Sequence, residues 1–193
     1  MTTQEKFWYL IGSVIGSFTY AMTFPITEIY FINLIGTTVL ALSNMIGTAL
    51  SAIVYWTVPK ENLKSWYRRH FSWIVVIDTV LLWCINFAGY SYPEIRFIGF
   101  AIINAVSTCL WVMIMKNIAN RIIVDGDERT DFEALTEYVT LFACLVGATI
   151  TFLFPDILSV EYCLIIQCAA NMFMGITDVY IFKRLNKTYS LKL

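Results

Sequence analysis

Apolar residues run along this chain in long blocks, each closed by a short polar or proline-bearing break, a pattern that predicts helices long enough to cross ~30 Å of hydrocarbon. The blocks predict helix 1 over residues 7–24, ending at Pro25, helix 2 over 30–58, ending at Pro59, and helix 3 over 71–88. Helix 4 is predicted to start at Pro93 and to run past Met115 as far as Ile123. Helix 5 is predicted from Thr130 to Pro155, and helix 6 over 157–182. All four prolines then fall at helix ends, where a missing N–H is tolerated. The one long hydrophilic interruption, residues 116–137, lies between helices 4 and 5. In it Asp125-Gly126 predicts a turn, and Thr130-Asp131-Phe132-Glu133 fits a capping box that opens helix 5.

Composition sharpens this into a membrane protein. Of the 193 residues 59% are hydrophobic, with a mean hydropathy of +0.69, well above the roughly 45–50% apolar share of a soluble domain. The length accommodates six spans as one transmembrane domain, residues 1–193, and no separate soluble one. A net charge of -1 leaves no nucleic-acid footprint. The position of the charges says more than their sum. Twelve of the thirteen basic residues lie before helix 1, between helices 2 and 3, between helices 4 and 5, or after helix 6, and Arg96 is the exception. By the positive-inside rule both termini are cytoplasmic. The apolar run that follows Lys6 lacks a small-residue cleavage site and is taken as the first span. The localisation expected is the cell membrane.

The five cysteines lie inside apolar runs without a Cys-x-x-Cys pair, and His70 stands alone. No disulfide framework, zinc site, hydrolytic triad or phosphate-binding glycine loop is visible, and the carboxylates of residues 125–131 lack EF-hand spacing. The sequence therefore predicts neither an enzyme nor a cofactor or metal.

Polar residues within spans have no partner in hydrocarbon, so they face a bundle interior or a wet cavity. Ser13, Ser17, Tyr20 and Phe24 share one face of helix 1, as do Asn104, Thr108, Trp111 and Met115 on helix 4, and Gln167, Asn171, Met174 and Asp178 on helix 6. Helix 2 adds Asn33, Thr37, Asn44 and Thr48. The substrate-binding candidates are Ser17, Tyr20, Asn44, Asn104, Thr108 and Trp111; interhelical hydrogen bonding is the alternative reading of the same faces. Asp78, about 12 Å past His70 along its helix, and Glu137, two turns into helix 5, are the candidates for proton or ion coupling. Asp178 can instead pair with Lys183 or Arg184. Small residues that allow close helix approach recur as Gly12 and Gly16, as Ser43, Gly47 and Ser51, and as Ala143, Gly147 and Thr151. The stripes of helices 2 and 5 would correspond in a 3+3 inverted repeat. Trp8, Trp56, Trp66 and Trp73 lie near span ends, as an interfacial belt requires.

The stretch IANRIIVDGDERTDFEALTEYVTLFACLVGA resembles the connection between the fourth and fifth helices of major facilitator superfamily (MFS) transporters, with Arg129, Phe132 and Gly147 carrying the likeness. That family's loop between its second and third helices carries a glycine and an aspartate before paired basic residues. Here residues 60–71 keep Arg68 and Arg69 alone. The resemblance implies a half-MFS-like bundle. Because the two halves of that family are parallel repeats, it also implies a parallel homodimer that moves a small molecule by alternating access. Two other readings stand beside it. Six helices in about 190 residues also resemble the substrate-binding membrane subunit of an energy-coupling-factor vitamin transporter, with Gly12 and Gly16 in place of its alanine-based motif. The third is a non-transporting membrane scaffold or immunity protein.

Overall fold

The computed structural model describes residues 1–57, 61–103, 122, 123, 125–154 and 158–189, without the side chains of 61–65, 67, 68 and 100. Its regular elements are all helices: α1 (Thr3–Ile35), α2 (Thr37–Thr57), α3 (Glu61–Ser91), α4 (Pro93–Ile103), α5 (Gly126–Leu153) and α6 (Val160–Tyr189). Five of them, α1, α2, α3 from Arg69 onward, α5 and α6, are long and apolar enough to cross a membrane. The chain is a multi-pass, all-α membrane protein. The continuation of the fourth helix beyond Ile103, with Asn104, Thr108 and Trp111, lies outside the described residues.

Pro25 does not end the first helix. It sits inside the 33 residues of α1, and the chain breaks instead at Gly36, whose φ of +81° is a conformation that glycine adopts without steric penalty. A proline inside a spanning helix removes the N–H that would bond the carbonyl four residues back, here that of Ala21, and loosens the neighbouring turn. Hydroxyls bond to other carbonyls around it. Thr23 Oγ1 donates to the Thr19 carbonyl at 2.8 Å and Thr27 Oγ1 to the Phe24 carbonyl at 3.1 Å. From α5, Thr151 Oγ1 donates to the Met22 carbonyl at 2.6 Å.

The start of the fifth helix also differs from expectation. It begins at Gly126, not Thr130, because Asp125 is the N-cap and its carboxylate accepts from the N–H groups of Asp127 and Glu128, each at 2.9 Å. Asp127 and Glu128 then place negative charge in a first turn whose dipole favours it. The Thr130 hydroxyl only bonds back to the Gly126 carbonyl. Two other helices outrun their apolar runs. α3 starts ten residues before Phe71, at Glu61, and α6 carries the basic residues Lys183, Arg184 and Lys187 on its last turns.

By packing, the chain divides into two compact units. One holds α1 as far as Tyr30 together with α5 and α6; the other holds the chain from Phe31 with α2, α3 and α4. In the second unit α4 packs on both α3 and α2. Gly89 lies against the backbone of Arg96 and Gly99 against Ile85, so the α3–α4 pair closes tightly around Tyr92. Ser43, the buried residue of α2, donates to the Phe97 carbonyl at 2.6 Å, and Gly47 rests on Ala101. The buried Arg96 donates to the buried Asn86. Its guanidinium also lies 5.7 Å from the centre of the Phe31 ring, within cation–π range.

Candidate functional site

In the first unit α1 meets α6 along a face that reaches from its first turn to Thr27. Gly12 lies against Thr177 and Asp178, and Gly16 against Met174. Beyond the glycines this face of α1 continues as Thr19, Thr23 and Thr27, all buried. Gln167 of α6 bridges the last two, with Nε2 donating to Thr23 Oγ1 at 3.0 Å and to Thr27 Oγ1 at 3.3 Å. Asn171 lies one turn from Gln167 toward Met174, between the Gln167–Thr23 bond and the Met174–Gly16 contact. Its Oδ1 is enclosed and has no hydrogen-bond donor among the described residues.

That orphaned oxygen distinguishes Asn171 from its neighbours. A buried amide oxygen without a donor costs about 1–3 kcal/mol, whereas the hydroxyls of Thr23 and Thr27 each have an acceptor. The seam can therefore accept one further N–H or O–H group from a water or a small polar ligand.

α5 closes the unit from the other side. A Cβ at Gly147 would fall within contact of the Phe18 carbonyl oxygen and close to the Met22 N–H, so the two backbones meet where only glycine fits. One turn earlier, Cys144 Sγ donates to the Ser17 carbonyl at 3.6 Å. Phe132 is buried against Tyr9 at 5.4 Å between ring centres, under the Lys6 ammonium at 5.6 Å. Two of the three positions that carry the MFS resemblance, Phe132 and Gly147, are thus packing residues against α1, while Arg129 is exposed.

A polar clasp ties the ends of the three helices. Thr2 and Glu5 form a capping box at the start of α1: the Thr2 N–H donates to Glu5 Oε2 at 2.9 Å and the Glu5 N–H to Thr2 Oγ1 at 3.3 Å. The buried Glu5 carboxylate also accepts from Tyr189 Oη at 3.0 Å and lies 3.6 Å from Arg184 Nε. Arg184 donates further to Gln4 and to Tyr180, and Lys6 pairs with Glu128 of α5 at 2.8 Å. Arg184, expected as a partner for Asp178, is engaged with Glu5 and Gln4. Asp178 lies near Gly12.

The sequence-predicted site residues fall as follows. Ser17 and Tyr20 are on α1 in the first unit; Tyr20 is exposed and stacks on Phe24 at 4.4 Å. Glu137 is exposed on α5. In the second unit Asp78 is partly buried on α3 and Asn44 is exposed on α2. Asn44 has no hydrogen bond to another helix among the described residues; its carbonyl accepts from Thr48 Oγ1, one turn on, at 2.8 Å. The predicted polar face of helix 6 is the face that meets α1. On α1 the face that meets it is Gly12, Gly16, Thr19, Thr23 and Thr27 rather than Ser13, Ser17, Tyr20 and Phe24. Sequence reasoning missed the threonines, although they continue the glycine pair at the same helical spacing. Among the described residues no group of three or more His, Cys, Asp or Glu is arranged to hold a metal ion.

Comparison of the chain with protein-family models, with curated proteins and with solved structures returned no match.

Proposed function

We propose that this chain is one half of a small-molecule transporter of the cell membrane, MFS-like in its working, that assembles as a parallel homodimer and operates by alternating access. Both termini are cytoplasmic in this reading, because the basic residues gather at the helix ends on that side. One observation carries it. Asn44 and Thr48 stand one turn apart on a membrane-spanning helix, and both are exposed. A residue that merely joins helices would be buried on a partner, as Ser43 is. Hydrocarbon offers an exposed amide nothing, so Asn44 faces water, a substrate or both.

The coupling-factor reading has less support. It needs Gly12 and Gly16 presented to another subunit, and they lie under Thr177 and Met174 of α6.

The test is accessibility. In a background with the native cysteines replaced, Asn44→Cys in sealed vesicles is expected to react with a membrane-impermeant methanethiosulfonate reagent far faster than Val80→Cys on the apolar face of α3. Equal and slow reaction at both positions would place Asn44 in lipid and remove the cavity on which the transport reading depends. Native mass spectrometry of the purified protein reads the second element directly, as a dimer with or without a retained small molecule.

A further inference from the structure

The residues where α3 enters its span form a face that the transport reading does not use. Trp66, Arg69, His70 and Trp73 follow the i, i+3, i+4, i+7 spacing of one helix face. None is buried; Trp66 is 50% exposed and Trp73 69%. The same stripe continues into the span as Ile77 and Val80, which are also exposed. Along one helix face, therefore, a guanidinium and an imidazole are bracketed by two indoles and lead directly onto an apolar strip.

Three observations give this face an occupant. The first is depth. The apolar run of α3 begins at Phe71, directly after Arg68, Arg69 and His70, although the helix begins at Glu61, so Arg69 and His70 lie at the boundary between hydrocarbon and water. Trp66 and Trp73, about 10 Å apart along the axis, bracket the headgroup layer where tryptophan accumulates. The second is charge. Between positions 60 and 70 the sequence carries Lys60, Lys64, Arg68 and Arg69 against the single acid Glu61. The third is local order. His70 Nδ1 is 2.9 Å from the Trp66 carbonyl, which accepts from it, and the two rings lie 4.8 Å apart, so the imidazole and the Trp66 indole are held together beside Arg69.

We infer that this face of α3 binds one anionic phospholipid, with its phosphate at Arg69, its glycerol region between the indoles, and an acyl chain along Ile77 and Val80. The inference depends on α3 spanning the bilayer and is independent of whether the protein transports anything. General attraction of basic residues to an acidic leaflet does not require the Trp66–Arg69–His70–Trp73 face, and that difference makes the site testable.

The experiment uses the full chain, purified in detergent and given equal amounts of dioleoylphosphatidylglycerol and dioleoylphosphatidylcholine, with bound lipid counted by native mass spectrometry. The wild type is expected to retain the phosphatidylglycerol preferentially. Arg69→Gln is expected to lower the preference about fivefold, the effect of one basic residue at the surface. Lys187→Gln, an exposed lysine on α6, removes the same charge and should leave the preference unchanged. Trp73→Leu keeps the site apolar and loses the indole, and is expected to shorten retention; it serves as the second variant should Arg69→Gln fail to fold. Inorganic phosphate should not displace the lipid, which separates a lipid site from a simple anion site. Equal retention of both lipids, equal losses in Arg69→Gln and Lys187→Gln, or a preference that survives both face variants would each overturn the proposal.

Discussion

The two compact units are held together in different ways. The α1–α5–α6 unit is joined by hydrogen bonds between residues far apart in sequence: Thr151 to Met22, Cys144 to Ser17, Gln167 to Thr23 and Thr27, and the Glu5 clasp. The α2–α3–α4 unit has its closest packing between neighbours in sequence, with Gly89 on Arg96 and Gly99 on Ile85 across the Tyr92 turn. Water cannot compete for polar groups inside a membrane, so a helix with a defect must borrow partners from distant helices. α1 contains Pro25, and beside it α5 donates to the Met22 carbonyl while α6 donates to the hydroxyls of Thr23 and Thr27. The polar seam leaves one oxygen, on Asn171, without a donor among the described residues.

The largest expected effect separates the two units at their glycines. Gly147→Ala would push a Cβ into the Phe18 carbonyl oxygen, which is backbone and cannot swing aside. Overpacking of this kind costs about 1–3 kcal/mol or more, so the variant is expected to melt well below the wild type in detergent and to lose its monodisperse peak on gel filtration. Gly47→Ala would meet the Ala101 carbonyl at 3.4 Å and the Ala101 Cβ at 3.5 Å, and should melt close to the wild type. Equal losses would contradict the difference in packing between the units.

Next comes the seam. Gln167→Leu deletes two hydrogen bonds between helices, each worth about 0.6 kcal/mol in a membrane protein and at most about 1.7. A clear drop in melting temperature by circular dichroism is expected, larger than that from Ser43→Ala in the other unit, which deletes one. Asn171→Leu runs the opposite way. It removes an acceptor that has no donor, so stability is expected to stay level or to rise by about 1 kcal/mol. Any stabilisation by a retained polar ligand should disappear at the same time. A destabilised Asn171→Leu would mean that the oxygen is satisfied in the folded protein. The smallest effect belongs to the rim: Lys6→Gln breaks a solvent-exposed pair with Glu128, and its small loss in melting temperature should vanish in high salt, where such pairs are screened.

Much of this was legible in the sequence. The approximate placement of the five spanning helices among the described residues followed from apolar length, and Pro93 was read correctly as a helix start. The three small-residue stripes all proved to lie at helix contacts: Gly12 and Gly16 on α6, Ser43 and Gly47 on α4, Gly147 and Thr151 on α1. The face of Gln167, Asn171 and Met174 was legible as well. These are local properties, set by 3.6-residue periodicity and by the cost of leaving polar groups in lipid.

The sequence by itself therefore determined that the chain is helical and crosses a membrane several times, and which residues are small or polar on each turn. The tertiary structure decided what those residues do. Pro25 is carried inside a helix whose nearby Met22 carbonyl accepts from the Thr151 hydroxyl, 129 positions further along the sequence. The partner of Glu5 is a tyrosine at the far end of the chain. Asp125 prevailed over Thr130 as the cap because its carboxylate reaches two N–H groups at once. The cap is a local choice, set by which carboxylate reaches the free N–H groups of the first turn, whereas the partners of Glu5 and of the Met22 carbonyl are groups that only folding brings near.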